Sequence, residues 1–317
     1  MRDFFLNLVK DRGGFKVLHA HLDKSNLITP KLLYQAQAAS MQEKWYLYKH
    51  LKDNYTFDDV YSRAEKSLHQ FIKQKVPVLR TFVDADTQVG QMCIDAIAKL
   101  KEDYRDVIDL EIAIQPLEGL DNSATREAYR EACSKADIAG GLPSRDLSGA
   151  QHLRILFDIA SELGLPVDVH TDQLNSPGER ETELLLDIQK ECNFKHKVNA
   201  VHCISLACQD YEYQHEIAKR LREQDVGVIL CPSAALSMKP VTNEKPPHEI
   251  YAPVHNSIAP LQVLLQHGVE LAMGIDNISD LFMPLVDGDM WFECRLLMEA
   301  TRCYDLSTIA NIATTYR

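Results

Sequence analysis

Eight short apolar runs, each followed by an amphipathic segment, recur along this chain of 317 residues. The runs occupy eight ranges of the sequence: 15–21, 76–83, 107–115, 136–142, 166–170, 197–202, 226–231 and 269–275. Continuous apolar strands of this kind indicate a parallel sheet that is buried on both faces. Eight such strand–helix units predict a closed (β/α)8 TIM barrel of the α/β class. The alternative is a doubly wound open sheet, but no glycine-rich phosphate loop follows the first run.

Two of the connections between these runs are long. We predict a helix-rich first loop over residues 32–75, broken near residues 53–55 and restarted at Thr56 ahead of two aspartates. A long loop is expected after the seventh strand, at residues 232–257, and its part from 241 to 255 would lie over the strand ends and influence the choice of substrate. The whole chain, residues 1–317, is interpreted as one barrel domain.

Composition argues against several classes of partner. The formal net charge of −12 disfavours nucleic acid and anionic membranes, because both bind basic patches. No window approaches the ~18 consecutive apolar residues of a membrane-spanning helix. The eight cysteines form no CxxC pair, which suits free thiols in a reducing compartment. We therefore expect a cytoplasmic protein whose partner is a small molecule, and we leave open whether it forms a homo-oligomer.

Two histidines, His19 and His21, close the first apolar run. Side chains at positions i and i+2 of a strand point to the same face, so both imidazoles can reach one metal ion. Such a pair also arises by chance, and its meaning depends on what the other strands supply.

Polar side chains also stand at the ends of four further strands. They are Gln115 on the third strand, His170 on the fifth, His202 on the sixth and Asp276 after the eighth. Each has an ordinary alternative, such as a core histidine for His170 or a helix cap before Ser279 for Asp276. Because the active site of a TIM barrel lies at the carboxyl ends of its strands, we expect these side chains to converge. Four histidines and one carboxylate suit a catalytic zinc or ferrous ion.

These residues and their neighbours resemble the amidohydrolase superfamily and, within it, the cytosine deaminase-like branch. The resemblance extends from His19 to about Asn277. It rests on the following segments in order: HAHLDK at 19–24, RTFVD at 80–84, Gln115, GGLP at 140–143, HTDQ at 170–173, VHC at 201–203 and GIDN at 274–277. Most of these segments are weak signals individually, but the set in this order and spacing is specific.

The resemblance implies a site for one divalent metal ion, zinc or iron. Its implied ligands are His19, His21, His170 and Asp276. Relatives with two metal ions bridge them with a carbamylated lysine or a carboxylate from the middle strands. The fourth strand ends in the sequence GGLP here and offers no such residue, so one metal ion is expected.

The resemblance also implies roles in catalysis and substrate binding. Asp276 would be the base that takes a proton from water, and His202 would orient the resulting hydroxide or polarise the scissile bond. Gln115 matches the glutamine that binds the amide edge of a pyrimidine. Phe282 is a candidate for stacking on a planar ring, whereas Trp45, Tyr46 and Tyr48 fit an ordinary helix face.

Two positions depart from the pattern of this branch. Cytosine deaminases carry a glutamate three residues after the fifth-strand histidine, where this chain has Gln173. An amide can bind substrate but cannot transfer protons, so cytosine deamination itself is put in doubt. Phe82 replaces a histidine that is usual on the second strand. Lys24, Asp172 and Glu179 are candidate helpers, although Lys24 can equally be a solvated charge at the rim.

Most relatives of this branch carry a small β-sandwich built from both chain ends. Residues 1–14 alone precede the first run here, and the chain ends at Arg317. We expect either a bare barrel or a chain that lacks part of the protein.

The expected function is metal-dependent hydrolysis of a carbon–nitrogen bond other than a peptide bond. Its substrate would be a small N-heterocycle or cyclic amide, and deamination and ring opening both stay open. A metal ion would lower the pKa of its water toward ~7 and supply hydroxide at neutral pH. The alternative is a non-catalytic metal-binding barrel that binds a small ligand or acts as a subunit. Gln173 supports this alternative, whereas the presence of both Asp276 and His202 counts against it.

Overall fold

Eight parallel strands close into a barrel in the computed structural model, which describes residues 1–36, 39, 41–237 and 258–317. The strands follow one another around the barrel in sequence order: β1 (Lys16–Val17), β2 (Val78–Asp84), β3 (Asp109–Gln115), β4 (Ile138–Gly141), β5 (Val167–Thr171), β6 (Val198–His202), β7 (Val226–Leu230) and β8 (Leu271–Met273). Val17 pairs with both Leu79 and Met273, which closes the sheet. The predicted (β/α)8 barrel is confirmed.

Helices follow the strands and cover the outside of the barrel. Within the described ranges they are α1 (Arg2–Asp11), α2 (Pro30–Ala36), α3 (Met41–Lys52), α4 (Phe57–Lys73), α5 (Met92–Tyr104), α6 (Ser123–Cys133), α7 (Gly149–Leu163), α8 (Glu181–Glu191), α9 (Tyr211–Glu223), α10 (Pro232–Ser237), α11 (Leu261–Gln266), α12 (Met290–Thr301) and α13 (Leu306–Thr314). Short 3-10 turns at Pro143–Arg145 and Ser205–Cys208 follow β4 and β6. None of these helices is long and apolar enough to cross a membrane.

The first loop is rich in helix, as its sequence predicts, because α2, α3 and α4 all lie between β1 and β2. The break falls at residues 53–56, where Thr56 Oγ1 accepts a hydrogen bond from Asp59 N at 3.2 Å and caps α4. After β7, residues 232–237 form α10. The remainder of the segment expected to be a loop, residues 238–257 with His248 and His255, lies outside the described residues.

The N-terminal helix α1 has no counterpart in the sequence expectation. It buries Phe5 and Val9, and the ring of Phe5 lies 5.4 Å from that of Trp291 on α12. It also packs against α13, so the two ends of the described chain lie together beside β1. Phe5 and Val9 are thus part of the hydrophobic core.

Strand alternation divides the barrel interior into layers. The lowest layer is polar and contains Arg80, Glu111, Asp168 and Asn199, which are joined by ion pairs and hydrogen bonds. The middle layer is apolar and contains the cluster of Phe82, Ala113 and Ile138. The upper layer lies at the carboxyl ends of the strands and carries polar side chains again, among them Asp84, Gln115 and His170. The polar residues at the strand ends thus lie directly above a buried layer of apolar side chains.

Candidate metal centre and active site

Four buried side chains from four strand ends meet at the carboxyl rim of the barrel. They are His19, His170, His202 and Asp276, and one potential ligand atom from each lies within 4.8 Å of the others. In the part of the chain that the structure describes, this is the group of histidine and carboxylate side chains that could hold a metal ion. We call it the metal-ligand group.

His21 lies at the edge of this group. Its Nε2 is 3.1 Å from Asp276 Oδ1, beside His19 Nε2 at 3.3 Å from the same oxygen. The rings of His19 and His21 are 4.9 Å apart, so the i, i+2 spacing does bring both imidazoles to one carboxylate. The ligand set implied by the resemblance contains His21, whereas the metal-ligand group contains His202 in its place. Both histidines are candidate ligands.

The buried imidazoles carry nitrogens without a hydrogen-bond partner among the described residues. His170 Nδ1 lies 3.2 Å from the carbonyl oxygen of Gly141, whereas His170 Nε2 is unpaired. The Nδ1 atoms of His19, His21 and His202 are buried and unpaired as well. Because buried polar atoms are nearly always paired, this concentration indicates a site for a ligand that takes nitrogen lone pairs. The donor set fits a divalent zinc or iron ion.

The electrostatics of the group favour cation binding. Burial lowers the pKa values of His19, His21 and His170, and it lowers that of His202 to about 4, so all four imidazoles are neutral at pH 7. Burial alone would raise the pKa of Asp276, but its contacts with histidines outweigh burial and hold that pKa well below the usual range. Neutral imidazoles and an ionised carboxylate are the protonation states that bind a metal ion.

Two members of the group have a strained backbone. His202 has a φ of +78° and Asp276 a φ of +69°, in the left-handed region that residues with a side chain rarely adopt. Such conformations persist only where the surrounding structure enforces them, and they cluster at functional sites. The strain supports a functional role for both residues.

Phe82 fills the space beneath the group. Its ring centroid lies 4.5 Å from that of His19 and 4.9 Å from that of His170. A Cβ built on Gly140 would stand 2.6 Å from Phe82 Cε1 and 2.2 Å from the carbonyl oxygen of Ile114. Glycine is therefore required where β4 passes this ring. The space beside the end of β4 holds an aromatic ring rather than a side chain that could bridge two metal ions.

Lys24 is buried, so the alternative of a solvated rim charge does not describe it. Its Nζ donates to Asp84 Oδ1 at 2.6 Å and to Gln115 Oε1 at 2.9 Å. Burial would lower the pKa of Lys24, but Asp84 and Asp23 outweigh this effect and raise it. Lys24 is thus a fixed cation that orients the Gln115 amide.

The two carboxylates near Gln173, Asp172 and Glu179, accept hydrogen bonds from the loop and from the start of α8. Gln173 Nε2 lies 3.3 Å from Ser144 Oγ. Asp172 Oδ1 accepts from the backbone N–H of Glu181 at 2.6 Å, where α8 begins, and burial raises the pKa of Asp172 to about 7. Glu179 accepts from a backbone amide at 2.8 Å and a serine hydroxyl at 2.5 Å. These contacts are those of loop and helix-start residues, which weakens the case for Asp172 and Glu179 as helpers.

Phe282 lies between the rim and the first loop. Tyr48 stacks on its ring with a centroid distance of 5.1 Å and an interplanar angle of 22°. The Tyr48 hydroxyl donates to Asp280 at 2.5 Å and holds this stack in place. The Phe282 ring is therefore packed against α3, which also places Lys44 Nζ 5.8 Å from its centroid.

Sequence reasoning missed three buried charges of this region. Lys52 on α3 pairs with Asp84, Asp280 bonds to Tyr48, and Glu293 on α12 bonds to Ser233. Asp280 follows a strand end and could have been selected by the same rule as Asp276. Lys52 and Glu293 lie within helices, where their sequence context looks like that of solvated charges.

The raised pKa of Glu293, outside the metal-ligand group, can be tested through its effect on stability. Its carboxylate accepts from the Ser233 backbone N–H at 2.9 Å and from the Ser233 hydroxyl, and burial raises its pKa to about 7. The folded protein thus retains a proton that the unfolded chain loses above about pH 4.5. We expect the free energy of unfolding to lose on the order of 2 kcal/mol from this group between pH 4.5 and 7.

Glu293→Gln should remove this component and flatten the pH dependence of stability in that range. Urea unfolding at pH 5 and pH 7.5 measures it. Glu299→Gln, an exposed position on the same helix, is the control and should leave the pH dependence unchanged. An unaltered slope in Glu293→Gln would contradict the assignment.

Two of the curated proteins that this chain resembles cover most of its length. The chain is 32% identical over 258 residues to an uncharacterized protein of Haemophilus influenzae, a match that covers 80% of this chain and 91% of the relative. It is 22% identical over 290 residues to the N-isopropylammelide isopropyl amidohydrolase of Pseudomonas sp. (strain ADP), over 87% of this chain and 65% of that protein. This chain thus spans somewhat less than two thirds of the Pseudomonas protein. No protein-family model matches.

Among solved structures, the fold is similar to 5-methylcytosine deaminase from Klebsiella pneumoniae liganded with 5-fluorocytosine. The TM-score is 0.82 at 23% identity, and the alignment covers 93% of this chain and 74% of that one. This similarity shows the shared barrel fold. The resemblance expected from the sequence motifs is confirmed: in sequence and in fold the chain is similar to deaminase-like proteins of the amidohydrolase superfamily.

Proposed function

We propose that this protein hydrolyses a non-peptide carbon–nitrogen bond in a small N-heterocycle or cyclic amide, in a metal-dependent reaction. The observation that carries the proposal is the set of unpaired nitrogens on buried neutral imidazoles around an ionised carboxylate. The relatives described above include an amidohydrolase and a deaminase, which supports the reaction class.

The metal site is proposed to hold one zinc or iron ion. His19, His21, His170 and Asp276 would bind it, with His202 beside it. A divalent ion bound there would lower the pKa of water toward about 7 and so would supply hydroxide at neutral pH. The preference for one ion rests on Gly140 and Phe82, whose close contact leaves no bridging side chain at the end of β4.

Asp276 is proposed as the group that moves the proton. Its carboxylate is ionised, so it can accept a proton from the attacking water and return it to the leaving nitrogen. His202 is neutral and donates one ring N–H to the oxygen on which negative charge develops. Because Gln173 carries no titratable proton, both proton transfers fall to Asp276.

Gln115 and Lys24 are proposed to bind the polar edge of the substrate. Gln115 Oε1 already accepts from Lys24, so Gln115 Nε2 is the group left to donate to a substrate carbonyl. Lys24 stays protonated and acts as a cation and hydrogen-bond donor rather than as a base. Gln173 would bind a second polar atom, and Phe282 would contact the ring. Two side-chain amides and an aromatic ring on one side of the site favour a planar substrate ring that contains an amide.

The second candidate is a metal-binding barrel that binds a ring-shaped ligand without converting it. Gln173, in place of the proton-shuttling glutamate, favours it. An ionised Asp276 in contact with two imidazoles and a strained His202 favour catalysis instead.

Metal analysis of the purified protein, together with a screen for ammonia release and ring opening, tests the proposal. The screen would use cytosine analogues, hydantoins and dihydropyrimidines. We expect about one zinc or iron ion per chain and turnover of at least one ring class, lost on chelation and restored by metal. A metal-loaded protein that binds a ring ligand equally well with and without Asp276→Asn, yet converts nothing, would indicate the binding protein.

A further inference from the structure

Helix α3 of the first loop contacts the rim at two strand ends. Lys52, its last residue, is 4% exposed, and its Nζ lies 2.8 Å from Asp84 Oδ2 at the end of β2. Tyr48, one turn earlier, donates to Asp280 after β8 at 2.5 Å. The helix is therefore fixed to the rim through two buried polar contacts rather than through apolar packing alone.

Lys52 shares the carboxylate of Asp84 with Lys24. Lys24 Nζ binds Oδ1 at 2.6 Å, and Lys52 Nζ lies beside Oδ2. Lys52 also pairs with Asp86, and Lys24 also donates to Gln115 Oε1 at 2.9 Å. None of these five side chains is more than 5% exposed. Each oxygen of the buried Asp84 thus has its own cation.

The charges of this cluster balance only when Lys52 is included. Two ammonium groups, those of Lys24 and Lys52, face the two carboxylates of Asp84 and Asp86. Without Lys52, one ammonium would face two buried carboxylates. Buried carboxylates attract the nearest cation strongly, so Lys24 Nζ would be drawn toward the second oxygen of Asp84 and away from Gln115.

We propose that Lys52 is a positioning residue of the active site: by neutralising Asp84 Oδ2 and Asp86, it leaves Lys24 free to hold the Gln115 amide. A residue of the first loop thereby sets the orientation of a side chain on β3 that it does not contact. The consequence for substrate binding rests on the proposed function, whereas the orientation of Gln115 does not.

The test compares Lys52→Met with the charge-balanced double variant Lys52→Met/Asp86→Asn. The single variant leaves two carboxylates facing one lysine, whereas the double variant restores one carboxylate to one lysine. Lys49→Met, at an exposed position on the same helix, is the matched control. If Lys52→Met does not fold, Lys52→Gln takes its place.

The first measurement needs no substrate. The side-chain amide resonances of Gln115, assigned by their loss in Gln115→Met, report the bond from Lys24. We expect them to shift in Lys52→Met, to return close to the wild-type position in the double variant and to stay in place in Lys49→Met. Unmoved resonances in a folded Lys52→Met would overturn the proposal.

The second measurement uses whichever ring compound of the hydrolysis screen the wild type converts best. We expect KM to rise by roughly 10-fold in Lys52→Met, with kcat changed much less, and the double variant to recover the loss. If the double variant were as impaired as the single one in both measurements, Lys52 would be only a link between α3 and the rim. If the wild type converts no compound, the proposed function fails, and the Gln115 resonances alone decide the role of Lys52.

Discussion

Asparagine in place of Asp276 is expected to lower turnover by on the order of 10³-fold and to reduce the metal content of the purified protein. Asp276 Oδ1 lies 3.1 Å from His21 and 3.3 Å from His19, so it belongs to the metal-ligand group as well as being the proposed base. An amide carries no charge to bind the cation and accepts no proton at neutral pH. Elemental analysis and the rate of hydrolysis, measured on the same preparation, check the two effects separately.

Asp280→Asn is the matched control for this variant. Asp280 is equally buried and follows the same strand, but its partners are Tyr48, the Asn277 side-chain amide and the backbone amides of Phe282 and Met283, the last two at 2.9 Å each. Its replacement should lower stability and leave metal content unchanged. Normal metal content together with normal turnover in Asp276→Asn would remove Asp276 from both proposed roles.

The positions of the strand-end residues could be predicted from the sequence because the rule behind them is periodic. Val169 faces the helices, so alternation turns His170 inward, where its ring lies 4.8 Å from that of His19. Apolar runs identify strands, and strands in a barrel end at a common rim. Periodicity and topology together therefore bring residues 257 positions apart, His19 and Asp276, into contact.

The alternation rule does not account for His202. On β6, Ala200 packs among the helices and Val201 faces inward, so regular alternation would turn His202 outward. Its φ of +78° redirects the side chain, and its ring lies 5.4 Å from those of His19 and His170. No residue pattern signals such a conformation, because only a small fraction of residues other than glycine adopt a positive φ. Its position at the end of a strand, rather than strand alternation, pointed to this residue.

The burial of charged residues in the first loop also could not be predicted from the sequence. Lys52 lies in a helix whose pattern gives no reason to place it in the interior, and its partners Asp84 and Asp86 are more than 30 positions away. Helix periodicity identifies the apolar face, but it does not report which cation finds a buried carboxylate across the rim. For the same reason Tyr48 was expected on an ordinary helix face, whereas it packs on Phe282.

Methionine in place of Arg80 is expected to lower the free energy of unfolding by about 3–5 kcal/mol and to leave metal content unchanged. Arg80 belongs to the RTFVD segment, but it points to the floor of the barrel rather than to the rim. Its guanidinium donates to Glu111 at 2.8 Å and to Asp168 at 2.7 Å, and the side chain is only 4% exposed. Removing Arg80 leaves two buried carboxylates without the cation they share, which costs far more than the loss of a surface pair.

Chemical unfolding of Arg80→Met beside Lys101→Met measures this difference. Lys101 pairs with Asp137 at the surface, where both side chains are more than a third exposed, so its loss should cost less than about 1 kcal/mol. Residues at the amino-terminal face of a barrel contribute to stability, whereas those at the carboxyl face carry the chemistry. We expect Arg80→Met to lose stability and keep its metal content. We expect Asp276→Asn to lose metal and keep most of its stability. Together these results would assign stability to the floor of the barrel and metal binding to its rim. An Arg80→Met protein as stable as Lys101→Met would show that the floor charges are not held in the interior as an interdependent network.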